Sequence, residues 1–124
     1  MRFIEATVAA LLMAGPALAA DDDCPQGLSN DDCNAWLVHR MDARLAEAVA
    51  ARIEKNAKLT TYAPVSAEIR RTGQAAHIAW LAFREAECNA QVAAAVMSAR
   101  PAQQRKAFCI LALAEARLAE ISKP

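Results

Sequence analysis

The feature that most constrains the fold is a run of apolar residues spaced four positions apart. The run comprises Leu37, Met41, Leu45, Val49 and Ile53. This spacing places the run on one face of an α-helix, and the charged residues between its members fall on the other faces. Ser29 is a good N-cap, and the two aspartates that follow Asn30 favour the start of a helix electrostatically. The sequence therefore predicts a first helix from about Asn30 to about Ala57.

A second helix is predicted after a connector from about Lys58 to Val65, where a Thr pair and Pro64 interrupt the pattern. We expect it to begin near Ser66 as an N-cap and to run to a short turn at residues 98–100. Its predicted apolar face comprises Ile69, Gly73, Ala76, Trp80 and Phe83. Gly73 lowers helix propensity. It indicates a close helix contact, a kink or a tolerated flaw, and the sequence does not choose among them.

A third helix is predicted from Pro101, which suits the first position of a helix. Its apolar residues are Phe108, Leu111, Leu113, Leu118 and Ile121. The region after residue 19 has hardly any alternating, β-branched stretch of the kind that forms strands. We therefore predict an all-α fold, a three-helix antiparallel bundle in one domain over residues 20–124.

Composition narrows the class of protein further. The chain has 124 residues, 14 basic and 14 acidic side chains, and 32 alanines. A single domain is expected at this length. The charge balance lacks the basic excess of a nucleic-acid-binding domain, so we expect no nucleic-acid partner. Alanine forms helix well and buries little area, so the core is smaller than the 56% hydrophobic content suggests.

The N-terminus has the pattern of a secretory signal. Arg2 precedes an apolar run, and Ala17-Leu18-Ala19 supplies small residues for cleavage after Ala19. The run is too short for a membrane span, so no transmembrane segment is expected after cleavage. A lipoprotein signal would place a Cys directly after the cleavage point, whereas Cys24 comes later. We predict a signal peptide over residues 1–19 and a periplasmic or secreted protein.

Export makes disulfides the expected role of the four cysteines, Cys24, Cys33, Cys88 and Cys109. Cys88 and Cys109 are equidistant from the turn between the second and third helices, so an antiparallel hairpin places them at the same height. We predict this pair and, from the remaining two, a bridge between Cys24 and Cys33. The wide spacings do not fit a zinc site, and no cofactor is expected.

Motifs for catalysis are missing from the sequence. It contains no G-x-S-x-G and no H-E-x-x-H, and its three glycines form no phosphate-binding loop. We therefore predict that the protein is not an enzyme.

The most distinctive segment is Trp80 to Cys88. Trp80, Arg84 and Cys88 are spaced four residues apart and share one helical stripe. In one interpretation Trp80 and Phe83 are core residues, and Arg84 packs across the seam and pairs with a carboxylate. In the other, Arg84 belongs to a binding surface, with Arg117 as a second cation near the same bridge.

With its surroundings, this segment resembles the family of lysozyme-inhibitor LprI-type N-terminal domains, which are small exported helical proteins of bacteria. Trp80, Phe83, Arg84 and Cys88 match the family's central motif with its spacing. The segments Leu28 to Cys33 and Met41 to Leu45 are similar to its helix start and the step that follows. Cys109, Arg117, Glu120 and Ile121 resemble its C-terminal end.

The resemblance implies a binding module that inhibits lysozyme, with lysozyme as a protein partner. The lysozyme cleft carries two carboxyl groups, so an inhibitor could offer it a cation or a hydrogen-bond donor. The candidate partner-binding residues are Trp80, Arg84, Arg117 and His77. An alternative is a periplasmic envelope-stress protein or acid-stress chaperone, because 14 carboxylates would leave the chain strongly cationic at low pH.

Overall fold

The computed structural model describes residues 23–95 and 100–124, and this part of the chain contains three α-helices and no strand. They are α1 (Asn30–Ala57), α2 (Ala63–Ala94) and α3 (Ala102–Ile121). The predicted signal peptide and the center of the predicted turn at residues 98–100 lie outside the described residues. None of the described helices is long and apolar enough to cross a membrane.

Helix α1 has the predicted bounds, and local chemistry explains where it begins. The Ser29 hydroxyl accepts a hydrogen bond from the Asp32 backbone N–H at 3.1 Å, which satisfies one of the donors left over at a helix start. The apolar run then turns inward, and Leu45, Val49, Ile53 and Ala57 are buried.

Helix α2 begins at Ala63, three residues before the predicted start at Ser66. Pro64 does not interrupt the chain as expected, because a proline in the first turn of a helix gives up an N–H that has no partner there. Ser66 is buried and is not a cap. Its hydroxyl instead donates to the Ala57 carbonyl at 2.8 Å and joins the ends of α1 and α2.

The end of α2 and the start of α3 are tied together by one side chain. Helix α2 ends at Ala94, and the Arg105 guanidinium donates to the carbonyls of Val92 and Ala95 at 3.2 and 2.6 Å. The Val92 carbonyl also accepts from the Ala95 N–H at 3.3 Å, so Arg105 reinforces the C-terminal end of α2. Pro101 was predicted as the first residue of α3, but it is the N-cap, and the helix begins at Ala102.

Each helix packs against the other two. Ala57 meets Ser66 and Asp42 meets Arg84, so α1 and α2 are antiparallel. Cys88 is bridged to Cys109 and Val92 meets Arg105, so α2 and α3 are antiparallel as well.

Both predicted disulfides are present. The Cα–Cα distance is 5.6 Å in the Cys88–Cys109 bridge and 5.4 Å in the Cys24–Cys33 bridge, both ordinary spacings for disulfides. Cys88 is fully buried, so the first bridge forms part of the core. The second ties the segment before α1 to its first turn.

The core is narrow, as the alanine content predicts. The buried apolar residues in the described chain are Leu45, Val49, Ile53, Ala57, Cys88, Ala107, Ile110 and Ala114. Phe83 was expected in the core and is 54% exposed. The inward stripe of α2 runs through Arg84 and Cys88, and the position of Phe83 lies about 100° from that of Arg84 around the helix.

Gly73 lies at a close contact between α1 and α2. A Cβ atom placed on Gly73 would lie 2.6 Å from Cγ1 of Ile53. Of the three explanations that the sequence left open, a close helix contact is therefore the one present. Glycine at this position lets the two helices meet around Ile53.

Candidate functional site

Arg84 lies inside the bundle and pairs with a carboxylate of α1. Its Nη1 and Nη2 donate to Oδ1 and Oδ2 of Asp42 at 2.5 and 3.0 Å. The Arg84 side chain is 8% exposed and that of Asp42 is 37% exposed. This bidentate pair neutralises the buried guanidinium and fixes α2 against α1. Arg84 is thus held by the fold itself and offers little surface to a partner.

Trp80 is half-buried and contacts two guanidinium groups. The Cζ atom of Arg84 lies 5.3 Å from the center of the ring system, and that of Arg117 lies 5.9 Å from it. Both distances suit attraction between a cation and an aromatic face. The indole therefore joins Arg84 of α2 to Arg117 of α3 within one cluster.

Arg117 is the more accessible of the two arginines, with a side chain that is 27% exposed. Its Nη1 lies 3.3 Å from Oε2 of Glu120, one turn further along α3. Its Nε is buried and has no hydrogen-bond partner among the described residues. The guanidinium thus keeps donor capacity at the edge of the bundle.

His77 lies one turn before Trp80 on α2 and is half-buried. Burial lowers the pKa of His77 below its ordinary value of 6.5, and the charges of Arg117 and Arg84 lower it further, against an opposing effect of Asp42. Its Nδ1 is also buried and has no partner within the part of the chain that the structure describes. The neutral ring can therefore donate or accept a hydrogen bond.

Arg117 and His77 open onto a cleft of about 280 Å³ among the three helices, which we call the Arg117 cleft. Its wall includes Gly73 and Ile53, the residues of the close helix contact. Arg52 reaches across its edge and donates to the Ile121 carbonyl at 2.9 Å. The polar and charged residues that line it are Arg52, Asn56, His77, Arg117 and Glu120. With two arginines against one glutamate, the cleft favours an anionic group such as a carboxylate.

A larger groove of about 410 Å³ lies between α1 and α3. Its lining mixes acidic and basic groups, among them Asp31, His39, Asp42 and Lys106. Lys106 pairs with Glu85 of α2. None of the predicted partner-binding residues lines this groove, and its mixed charge favours no one class of ligand.

The structure thus brings all four predicted residues, Trp80, Arg84, Arg117 and His77, into one cluster. The sequence analysis did not select Arg52 and Glu120 as part of this site. Both are ordinary charged residues of helix faces, and only the register of α1 against α3 places them together. Asp42 was noted only as part of the resemblance, and nothing local identified it as the partner of Arg84.

The described residues contain no group of three His, Cys, Asp or Glu side chains that could hold a metal ion. At the Arg117 cleft the cluster offers one accessible guanidinium beside a half-buried indole, a combination that is common where proteins bind each other.

Comparison with known proteins agrees with the resemblance. The family profile described as "Lysozyme inhibitor LprI" matches residues 22–121, which is most of the chain and includes all four cysteines. No curated protein and no solved structure gives a significant match. Its match to the profile shows that the chain belongs to the LprI lysozyme inhibitor family.

Proposed function

We propose that the protein is an exported inhibitor of lysozyme that acts by binding and performs no catalysis of its own. The observation that carries this proposal is the match to the lysozyme inhibitor family over residues 22–121. The predicted signal peptide and the two disulfides support a periplasmic or secreted location. N-terminal sequencing of the exported protein should find Ala20 as its first residue.

The chemistry of the Arg117 cleft is consistent with this function. Lysozyme acts through two carboxyl groups that flank the scissile bond of its substrate. A cationic surface placed at the mouth of that cleft would complement them. Arg117 and His77 are the members of the predicted set that line a cleft of this protein, so we assign them to direct contact.

We assign Arg84 and Trp80 to positioning. Arg84 is committed to Asp42, and Trp80 packs against Arg117. Loss of either would alter binding by moving Arg117 or by loosening the bundle.

A titration of lysozyme activity with the exported, oxidised protein tests the proposal. Wild-type protein should suppress cell-wall hydrolysis, and Arg117→Gln should raise the inhibition constant at least about tenfold, as for a typical interface arginine. Lys106→Gln is the matched control, because it removes one positive charge from α3 outside the Arg117 cleft. Full lysozyme activity at a large molar excess of wild-type protein would refute the proposal.

A further inference from the structure

The hairpin formed by α1 and α2 extends past the end of α3. Helix α3 ends at Ile121, whose carbonyl is held by Arg52. Gly73 lies at a similar level, since it shares the Arg117 cleft with Ile121. The ten residues of α2 before Gly73 rise by roughly 15 Å. The hairpin therefore projects beyond the last turn of α3, and the residues after α3 lie beside its base at Lys55 and Asn56. We call residues 55–65 at its end the hairpin tip.

Hydrogen bonds stabilise the turn of the hairpin tip. The buried Ser66 hydroxyl donates to the Ala57 carbonyl at 2.8 Å. The Leu59 N–H donates to the Asn56 carbonyl at 3.1 Å, and the Tyr62 N–H donates to Oγ1 of Thr60 at 3.2 Å. A preorganised turn of this kind loses little conformational entropy when a partner binds it.

Apolar side chains of the hairpin tip point into solvent. Leu59 is 82% exposed, Tyr62 is 65% exposed and Val65 is 44% exposed. A single exposed leucine is ordinary on a protein surface. Here, however, a segment of seven residues exposes three large apolar side chains that the packing of the fold does not require. Tyrosine is also enriched among the residues that dominate binding at interfaces.

The charge of the hairpin tip is positive. Lys55 and Lys58 precede the apolar residues in the sequence, and neither forms an ion pair with any described carboxylate. The nearby acidic residues Glu54 and Glu68 are engaged by Arg70 and Arg71 at 2.8 and 2.5 Å. The hairpin tip thus offers two cations beside one aromatic and two aliphatic side chains.

We propose that the hairpin tip enters the carboxylate-lined substrate cleft of lysozyme, with Leu59 and Tyr62 as its apolar contacts and Lys55 and Lys58 facing the acidic residues of the cleft. The inference rests on the proposed function and adds the surface that performs it. It commits to a concave, acidic partner, because the projection is convex and positively charged. The adjoining Arg117 cleft would then contact the rim of the enzyme.

The test compares wild-type protein with the double variant Leu59→Ala/Tyr62→Ala in the lysozyme titration. Both side chains are exposed, so the variant should keep the fold, which circular dichroism and thermal unfolding would verify. We expect the inhibition constant to rise at least about 30-fold, as for the loss of an interface hot spot. Ile78→Ala is the matched control, because Ile78 is a 67% exposed apolar residue in the middle of α2.

The outcomes separate this inference from the proposed function. Wild-type inhibition with a loss confined to the tip variant supports both. Equal inhibition by wild type, the tip variant and Ile78→Ala overturns the hairpin tip as the binding surface and leaves the proposed function standing. No inhibition by wild-type protein overturns both. A second double variant, Lys55→Gln/Lys58→Gln, should also weaken inhibition, and more so at low salt; an unchanged inhibition constant would contradict the role of charge.

Discussion

Removal of the Asp42 carboxylate should destabilise the bundle far more than removal of an exposed acidic residue. The Asp42→Ala variant leaves the guanidinium of Arg84, whose side chain is 8% exposed, without its bidentate partner. Breaking a buried ion pair in this way costs about 3–5 kcal/mol. Because the Asp42 side chain is 37% exposed, water can partly replace it, and we expect about 3 kcal/mol.

The reverse change should be milder. Arg84→Met keeps an apolar stem in the seam and leaves the Asp42 carboxylate where water can reach it, so we expect about 1.5 kcal/mol. The double variant Asp42→Ala/Arg84→Met should be more stable than Asp42→Ala alone, because it no longer buries an uncompensated charge. A second substitution thus restores stability that the first removes.

The assay is urea unfolding followed by circular dichroism at pH 7 with both disulfides intact. Glu68→Ala is the control, since it breaks an exposed ion pair and should leave the unfolding midpoint nearly unchanged. In thermal unfolding, Asp42→Ala should lower the midpoint by at least about 12 °C. The reasoning fails if Asp42→Ala costs no more than Glu68→Ala, or if the two substitutions of the double variant add.

Three further predictions follow from the packing, the electrostatics and the disulfides. Gly73→Ala should lower the free energy of unfolding by about 1 kcal/mol, because overpacking against Ile53 costs about 2 kcal/mol and the better helix propensity returns about 1 kcal/mol. In an Ile53→Ala background the same change should stabilise the protein. Stabilisation of the wild type by Gly73→Ala would contradict the close contact. The pKa of His77 is lower in the folded protein than in the unfolded chain, so between the folded-state pKa and about 6.5 the unfolded chain binds more protons. The free energy of unfolding should therefore rise with pH over this window. In urea unfolding at a series of pH values, His77→Gln should reduce that rise. Replacing Cys88 and Cys109 by Ala should cost about 3 kcal/mol in the chain-entropy model, and an unchanged unfolding midpoint would show that the bridge contributes nothing.

Two kinds of feature could be predicted from the sequence. One is set by local chemistry, and the other by equal sequence distance from the turn of a helical hairpin. Ser29 and the apolar run define α1 without help from the rest of the molecule. The pairing of Cys88 with Cys109 follows because an antiparallel hairpin brings residues equidistant from its turn to the same height. Neither inference requires the position of a distant segment.

The errors arise where a residue has a local role and a tertiary role that compete. Ser66 suits a helix cap, but its hydroxyl donates a hydrogen bond to the Ala57 carbonyl of α1. Pro64 is a helix breaker in the interior and is tolerated in the first turn, so its position within the helix decides its effect. Phe83 follows the period of the apolar face, yet α2 turns its Arg84 and Cys88 stripe inward.

The candidate site could be predicted only in part. The four-residue spacing of Trp80, Arg84 and Cys88 shows that they share a stripe, and the stripe is present. The depth of Arg84 depends on Asp42, which lies 42 positions earlier in the sequence. The hairpin tip carries no sequence motif, because what distinguishes it is the exposure of its apolar side chains in the folded protein.

The measurement that tests the central claim most directly is chemical-shift mapping of the isotope-labelled, oxidised protein on addition of lysozyme. The account predicts perturbation of the backbone amides of Leu59 and Tyr62 and of the Arg117 side chain at equimolar enzyme. Residues at the opposite end of the bundle, such as Asp31 and Gln103, should be unaffected. Absence of any change at equimolar lysozyme, or changes confined to that opposite end, would contradict it.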